Sequence, residues 1–195
     1  MSFLSILSIS IGAILVENIV FSSLLGVKPF LRESKSTTEA LKSGIAIALL
    51  LTVAAIFAFV ADWAIIRPLG LGYMRTVIFV LVMCGAVIAG EKIIRAKASD
   101  KYKKLGISLP LVTTNAATLG IMLIVAERQY NIIEAVVSGI SAGIGYLMAV
   151  TLFAAVRERL EYSDVPKWLE DLPIAFITAG LIALAFSGFS GMKFM

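Results

Sequence analysis

The chain has 195 residues, of which 59% are hydrophobic, a mean hydropathy of +0.98 and a formal net charge of +4. Soluble domains are roughly 45–50% apolar, so this composition excludes an ordinary water-soluble globule. The single cysteine, Cys84, excludes an intrachain disulfide, and the lack of histidine removes imidazole metal ligands and any histidine general base.

The apolar residues fall in runs of about 18–24, long enough to cross a hydrocarbon core of ~30 Å. Spans are expected near 4–26, 43–64, 73–92, 105–126, 134–156 and 173–191. Six spans joined by short loops predict an all-α integral membrane protein, a single transmembrane domain over 1–195. The first span follows no basic residue and has no A-x-A-like cleavage site, so it is expected to be retained.

The first span carries Glu17-Asn18, then Ser22-Ser23 and Gly26. Glu17 is the deepest acid and has no adjacent base in the sequence. An unpaired acid in a span marks an ion or proton pathway by default. Asp62 ends the second span beside Trp63 and Arg67, which predicts interfacial anchoring. In the third span Cys84 reads as a small apolar filler. Glu91, beside Lys92 at that span's end, reads equally as a snorkelling helix-end acid and as an ion ligand. The fourth span carries Pro110, Thr113-Thr114-Asn115 and Gly120, and Pro110 favours a helix break. In the fifth span, Gly139, Gly143 and Gly145 predict close helix packing. Glu158, within Arg157-Glu158-Arg159, is expected to pair with its neighbours.

Thirteen of the 17 lysines and arginines lie in the first, third and fifth loops. The positive-inside rule puts those loops in the cytoplasm and both termini outside. The basic residues are split among separate short loops, so no nucleic-acid surface is expected.

Glu39-Ala40-Leu41-Lys42-Ser43-Gly44-Ile45 returns 95 positions later as Glu134-Ala135-Val136-Val137-Ser138-Gly139-Ile140, with five of seven residues identical. The offset is about half the chain, so the two halves, roughly 1–97 and 98–195, read as a duplication. Three spans per half is an odd number, which makes the duplication a 3+3 inverted repeat. Asn18 and Asn115 hold similar places in the two halves. Matching polar interruptions predict a central site between broken helices 1 and 4. The plainer reading of these Ser, Thr and Asn side chains is hydrogen bonding between helices.

Several motifs carry a family resemblance. Gly-Val-Lys-Pro-Phe at 26–30, Leu-Pro-Leu-Val-Thr-Thr-Asn at 109–115, Arg-Glu-Arg-Leu at 157–160, Ile-Thr-Ala-Gly-Leu at 177–181 and Gly-Phe-Ser-Gly at 188–191 resemble the RnfA/NqrE subunits. Val16-Glu17-Asn18 looks like the NqrE branch, whereas Lys28-Pro29-Phe30 and Ala179-Gly180 lean to RnfA. The likeness covers nearly the whole chain.

The resemblance implies a membrane subunit of an Rnf/Nqr-like complex coupling electron transfer to Na⁺ or H⁺ transport, in a prokaryotic inner or plasma membrane. It implies an oppositely oriented RnfE/NqrD-type partner, and flavins and iron–sulfur clusters in partner subunits. It also implies a [2Fe–2S] cluster held by two cysteines from each homologue. Here this sequence departs: Lys28 stands before Pro-Phe and Ala116 follows Thr-Thr-Asn. Such clusters take four thiolates, so this chain alone is expected to bind no cofactor and no metal. The ion-pathway candidates are Glu17 and Glu91. Asn18, Lys28, Thr114, Asn115 and Ala116 form the expected central site, and no catalytic residue is evident. A rival reading is a transporter or channel-like relative with no redox role.

Overall fold

The computed structural model describes residues 3–22, 36–97 and 116–189. Among these residues all regular structure is helical. Helix α1 (Phe3–Ile11) runs into a π-helical turn, Gly12–Val16. Helix α2 (Thr37–Ala61) continues through a π-turn, Asp62–Ile66, and a last turn, Arg67–Leu69. Helix α3 spans Arg75–Lys97, α4 Ala116–Glu127, α5 Ile132–Leu160 and α6 Leu172–Ser187.

The two longest helices begin alike. The Ser36 Oγ caps α2 by accepting the Glu39 N–H at 3.3 Å, and Asn131 opens α5, where the Glu134 carboxylate accepts the Asn131 N–H at 2.9 Å. An oxygen at the cap and an acid in the first turn satisfy free amide donors and oppose the positive end of the helix dipole. Ser36 and Asn131 are 95 residues apart, as are Glu39 and Glu134.

Thr37–Leu69 (33 residues) and Ile132–Leu160 (29 residues) are each long and apolar enough to cross a membrane. At 1.5 Å per residue, the shorter covers roughly 43 Å. Hydropathy places these two spans at 43–64 and 134–156, but the helices run on. Glu39, Lys42 and Arg157-Glu158-Arg159 are polar enough to end an apolar run while remaining good helix formers. The span expected at 4–26 is interrupted after Val16. The one expected at 105–126 is described only from Ala116.

Helices α2 and α5 run antiparallel and form the centre of the packing. A Cβ built on Gly143 would lie 2.9 Å from the Cα, Cβ and carbonyl oxygen of Ala48. One on Gly44 would meet Leu147 and Val150, and one on Gly139 would meet Thr52 and Ala55. Subtracting 95 from Leu147 and Val150 gives Thr52 and Ala55, so the two sets of contacts exchange under the repeat offset. Glycine is needed at 139 and 143 because backbone of the neighbouring helix, which cannot move aside, lies 2.9 Å from the added Cβ; at Gly44 the nearest atoms are the side-chain ends of Leu147 and Val150. The expected close packing at Gly139 and Gly143 is therefore present.

The outward faces are apolar. Leu41, Ile45, Leu49 and Val53 form an exposed stripe on α2, and Leu81 on α3 and Leu184 on α6 are also largely exposed. In water such continuous apolar surface would be a liability; in lipid it is the solvated face. Trp63 and Tyr73 lie exposed between α2 and α3, and Tyr162 and Trp168 between α5 and α6. Amphipathic rings of this kind belong at membrane–water boundaries.

Candidate ion site at the break in the first helix

The break in α1 is built around one side chain. The π-turn closes with the Glu17 N–H donated to the Gly12 carbonyl at 2.7 Å, and Glu17 then leaves helical geometry (φ −109°, ψ 41°). Asn18 is fully buried. Its Nδ2 donates to the Ile14 carbonyl at 3.0 Å and to the Gly145 carbonyl of α5 at 2.9 Å. Its Oδ1 accepts the N–H groups of Val20 (3.1 Å) and Phe21 (3.4 Å). One carboxamide thus replaces backbone bonds that the interrupted helix has lost and ties the break to α5. Asparagine suits this role because its short amide mimics the peptide group.

Gly145 permits the approach. A Cβ there would lie 3.1 Å from the Ala13 carbonyl oxygen and 3.2 Å from Asn18 Nδ2. Asn18 therefore serves both the break and the helix–helix contact, and its two donors and its acceptor oxygen are all engaged.

Glu17 differs from its sequence expectation. Although no base adjoins it in the chain, its carboxylate accepts from Arg128 Nη2 in a short ion pair spanning 111 residues. Both side chains are 45% exposed, so Glu17 is neither deeply buried nor unpaired. Arg128 Nη1 also donates to Tyr130 Oη at 3.1 Å. Burial disfavours the Arg128 cation, but the hydrogen bonds with Tyr130 and Glu17 outweigh it and hold the guanidinium above its usual range. Beneath the pair lies a cavity of about 20 Å³, lined in part by Ile9, Ala13, Ser138 and Ala142. A second cavity, about 170 Å³, opens beside the break between Val16, Asn18, Phe21, Ser22, Phe186 and Ser187.

Two other acids are also placed differently. Asp62, expected to anchor the span end beside Arg67, is 3% exposed and meets Arg67 (2.6 Å) and Arg75 (3.6 Å) rather than water. Glu158 does not bridge to its flanking arginines. Its carboxylate accepts the Thr37 N–H at 2.6 Å, capping α2 from the far end of α5. Thr37 lies 121 residues from Glu158, out of reach of any sequence spacing, whereas Arg67 lies only five from Asp62.

Of the other expected site residues, Glu91 lies within α3, and Ala116 is the exposed first residue of α4. Lys28, Thr114 and Asn115, with Ser23, Pro110 and Thr113, lie outside the described residues. Sequence reasoning missed Arg128 and Tyr130. A Glu127-Arg128 pair directly after an apolar run was the only signal.

The donor set does not fit an iron–sulfur cluster. Ala116 offers no ligand atom, Cys84 is exposed on α3, and no group of three or more Cys, Asp or Glu occurs together among the described residues. A cluster of the implied type needs thiolates that this chain lacks.

The family described as "Rnf-Nqr subunit, membrane protein" matches residues 6–193. The chain is 45% identical over 190 residues to the A component of the Na⁺-translocating ferredoxin:NAD⁺ oxidoreductase complex of Acetobacterium woodii, covering 97% of this chain and 99% of the relative. It is 42% identical over 182 residues to the A component of the ion-translocating oxidoreductase complex of Edwardsiella ictaluri, covering 93% and 94%. The protein of the same description from Vibrio cholerae is 40% identical over 182 residues, covering 93% and 94%.

Proposed function

Because this chain belongs to the Rnf-Nqr family of membrane subunits, we propose that it acts as the A-type member of a complex that couples electron transfer to Na⁺ or H⁺ transport. It is a prokaryotic membrane protein and a subunit of an ion-translocating electron-transfer complex. The observation that carries this reading is 45% identity sustained over 97% of this chain and 99% of the relative.

The finer architecture proposed is six spans in a 3+3 inverted repeat, with both termini outside and the loop after α3 in the cytoplasm. The exchange of contacts about Ala48 and Gly143 supports the repeat, and the charge asymmetry of the loops supports the orientation. Apolar outer faces suit a membrane partner, and an oppositely oriented RnfE/NqrD-type homologue is the proposed one. Flavins and iron–sulfur clusters are assigned to partner subunits, since this chain has one cysteine and no histidine.

The proposed cation route passes the break in α1. Glu17 supplies the carboxylate, Arg128 occupies it at rest, and Glu91 is the second acid. Asn18 holds the break open, and Lys28, Thr114, Asn115 and Ala116 complete the central site. The test is deletion of the chain followed by redox-driven cation uptake in membrane vesicles. Loss of uptake, restored by the wild-type chain and not by a Glu17→Gln/Glu91→Gln variant, is expected. Unimpaired uptake with both acids replaced would assign them to packing.

A further inference from the structure

The turn between α2 and α3 concentrates positive charge that the ion-transport reading does not use. Asp62 carries one negative charge, its side chain only 4% exposed. Arg67 Nε sits 2.6 Å from Asp62 Oδ2, close enough alone to neutralise a buried carboxylate. Arg75 Nε adds a second guanidinium 3.6 Å from Oδ1. That separation is beyond hydrogen-bond length, and neither Arg75 Nε nor Asp62 Oδ1 has a hydrogen-bond partner among the described residues. The triad therefore carries one net positive charge.

Its surroundings decide what that charge meets. Trp63 is 65% exposed and Tyr73 83% exposed, and Leu69 is also largely exposed. Rings of this type mark the depth of lipid headgroups, where hydrocarbon gives way to phosphate. The Arg67 and Arg75 side chains are 48% and 30% exposed, so both reach this boundary. Asp62 hydrogen-bonds Arg67 through its Nε and lies nearest to the Nε of Arg75, and the terminal amino groups make no hydrogen bond to a described residue. Arg67 is anchored through Nε and Arg75 is held nearby by charge alone, and the terminal donors left over on the two guanidiniums match the oxygens of a phosphate. The π-turn Asp62–Ile66 and the left-handed Gly70 (φ 65°) bring the two arginines, eight residues apart in sequence, onto the same carboxylate.

We infer that Arg67 and Arg75, held by Asp62, form a binding site for the phosphate group of a membrane phospholipid. The net charge favours an anionic lipid such as phosphatidylglycerol. Asp62 is a positioning residue: it fixes the Arg67 guanidinium by a hydrogen bond, attracts that of Arg75, and sets the charge at one rather than two.

The experiment is thermal unfolding of the detergent-solubilised assembly titrated with phosphatidylglycerol, with a phosphate-free galactolipid, or with inorganic phosphate. Phosphatidylglycerol should raise the unfolding midpoint of the wild-type assembly, and the other two additives should not. One surface charge changes lipid affinity roughly fivefold. Arg67→Gln should therefore raise the half-saturating phosphatidylglycerol concentration about fivefold. Asp62→Asn, which raises the triad charge, should lower it. A purely structural ion pair would leave that concentration unchanged in Arg67→Gln, a variant in which Asp62 still has Arg75. That result, or equal protection by the galactolipid, would overturn the site. Equal protection by inorganic phosphate would overturn its assignment to a lipid.

Discussion

Ala48 and Gly143 touch where α2 crosses α5, and they stand 95 residues apart, the spacing that also separates Gly44 from Gly139. A pair that maps onto itself under the repeat offset lies where a pseudo-two-fold axis between these helices would pass. The same crossing leaves room for no side chain larger than hydrogen at position 143, so the seam is testable by adding single carbons.

Gly143→Ala places a Cβ 2.9 Å from backbone atoms of Ala48. Overpacking against backbone costs about 1–3 kcal/mol, more than the helix propensity of ~1 kcal/mol that alanine gains over glycine. The solubilised protein should unfold at lower denaturant. Gly180→Ala is the control, since nothing lies within 4 Å of its added Cβ. It should be neutral or slightly stabilising; equal losses at both positions would contradict the seam.

Asn18→Ala removes two donated and two accepted hydrogen bonds from a buried site. Unsatisfied buried groups cost roughly 1–3 kcal/mol each, partly relieved by relaxation, so a loss of about 2–4 kcal/mol is expected. Asn18 acts on the helix break and not on the ion. In variants that still assemble, the cation concentration for half-maximal transport should stay at its wild-type value. A shift in that concentration without a loss of stability would make Asn18 an ion ligand.

The Glu17–Arg128 pair is half-exposed and contributes little to folding, about 0.2–1 kcal/mol in a double-mutant cycle. Its effect should fall on transport. Arg128→Gln frees the carboxylate of its tethered cation and should lower the cation concentration for half-maximal transport, whereas Arg128→Lys keeps the charge and should change it less. Identical cation dependence in wild type and Arg128→Gln would remove Glu17 from the route.

The positions of α2 and α5 were legible because their apolar runs are long and bounded by charge, and their seam was legible because glycines at 139 and 143 have few other uses within a span. The repeat segment was legible for two reasons acting together. Glu39 and Glu134 occupy the same place in the first turn of each helix, and Gly44 and Gly139 the same place in the seam. Charge pairing was not legible. Arg128 lies 111 residues from Glu17, and Thr37 lies 121 from Glu158; no local spacing rule reaches that far. Arg67 was within sight of Asp62, but the burial of that carboxylate depends on the π-turn, which periodicity does not reveal.

This chain is expected to ligate no iron. Ala116 and Lys28 stand where the family resemblance implies cysteines, and Cys84 matches neither motif. Iron analysis and electron paramagnetic resonance of the chain together with the proposed homologous partner, free of soluble subunits, should give no [2Fe–2S] signal. A stoichiometric signal would point to ligands other than cysteine at this site.

Redox-driven cation transport by the purified assembly in sealed liposomes, reconstituted with and without this chain, tests its coupling role. With an electron donor and acceptor supplied, the first pair to try being the ferredoxin and NAD⁺ of the Acetobacterium woodii relative's name, the complete assembly should build a Na⁺ or H⁺ gradient that collapses when the chain is omitted and returns when it is added back. A gradient of equal size without the chain, or cation flux through the chain alone with no electron donor present, would contradict that role.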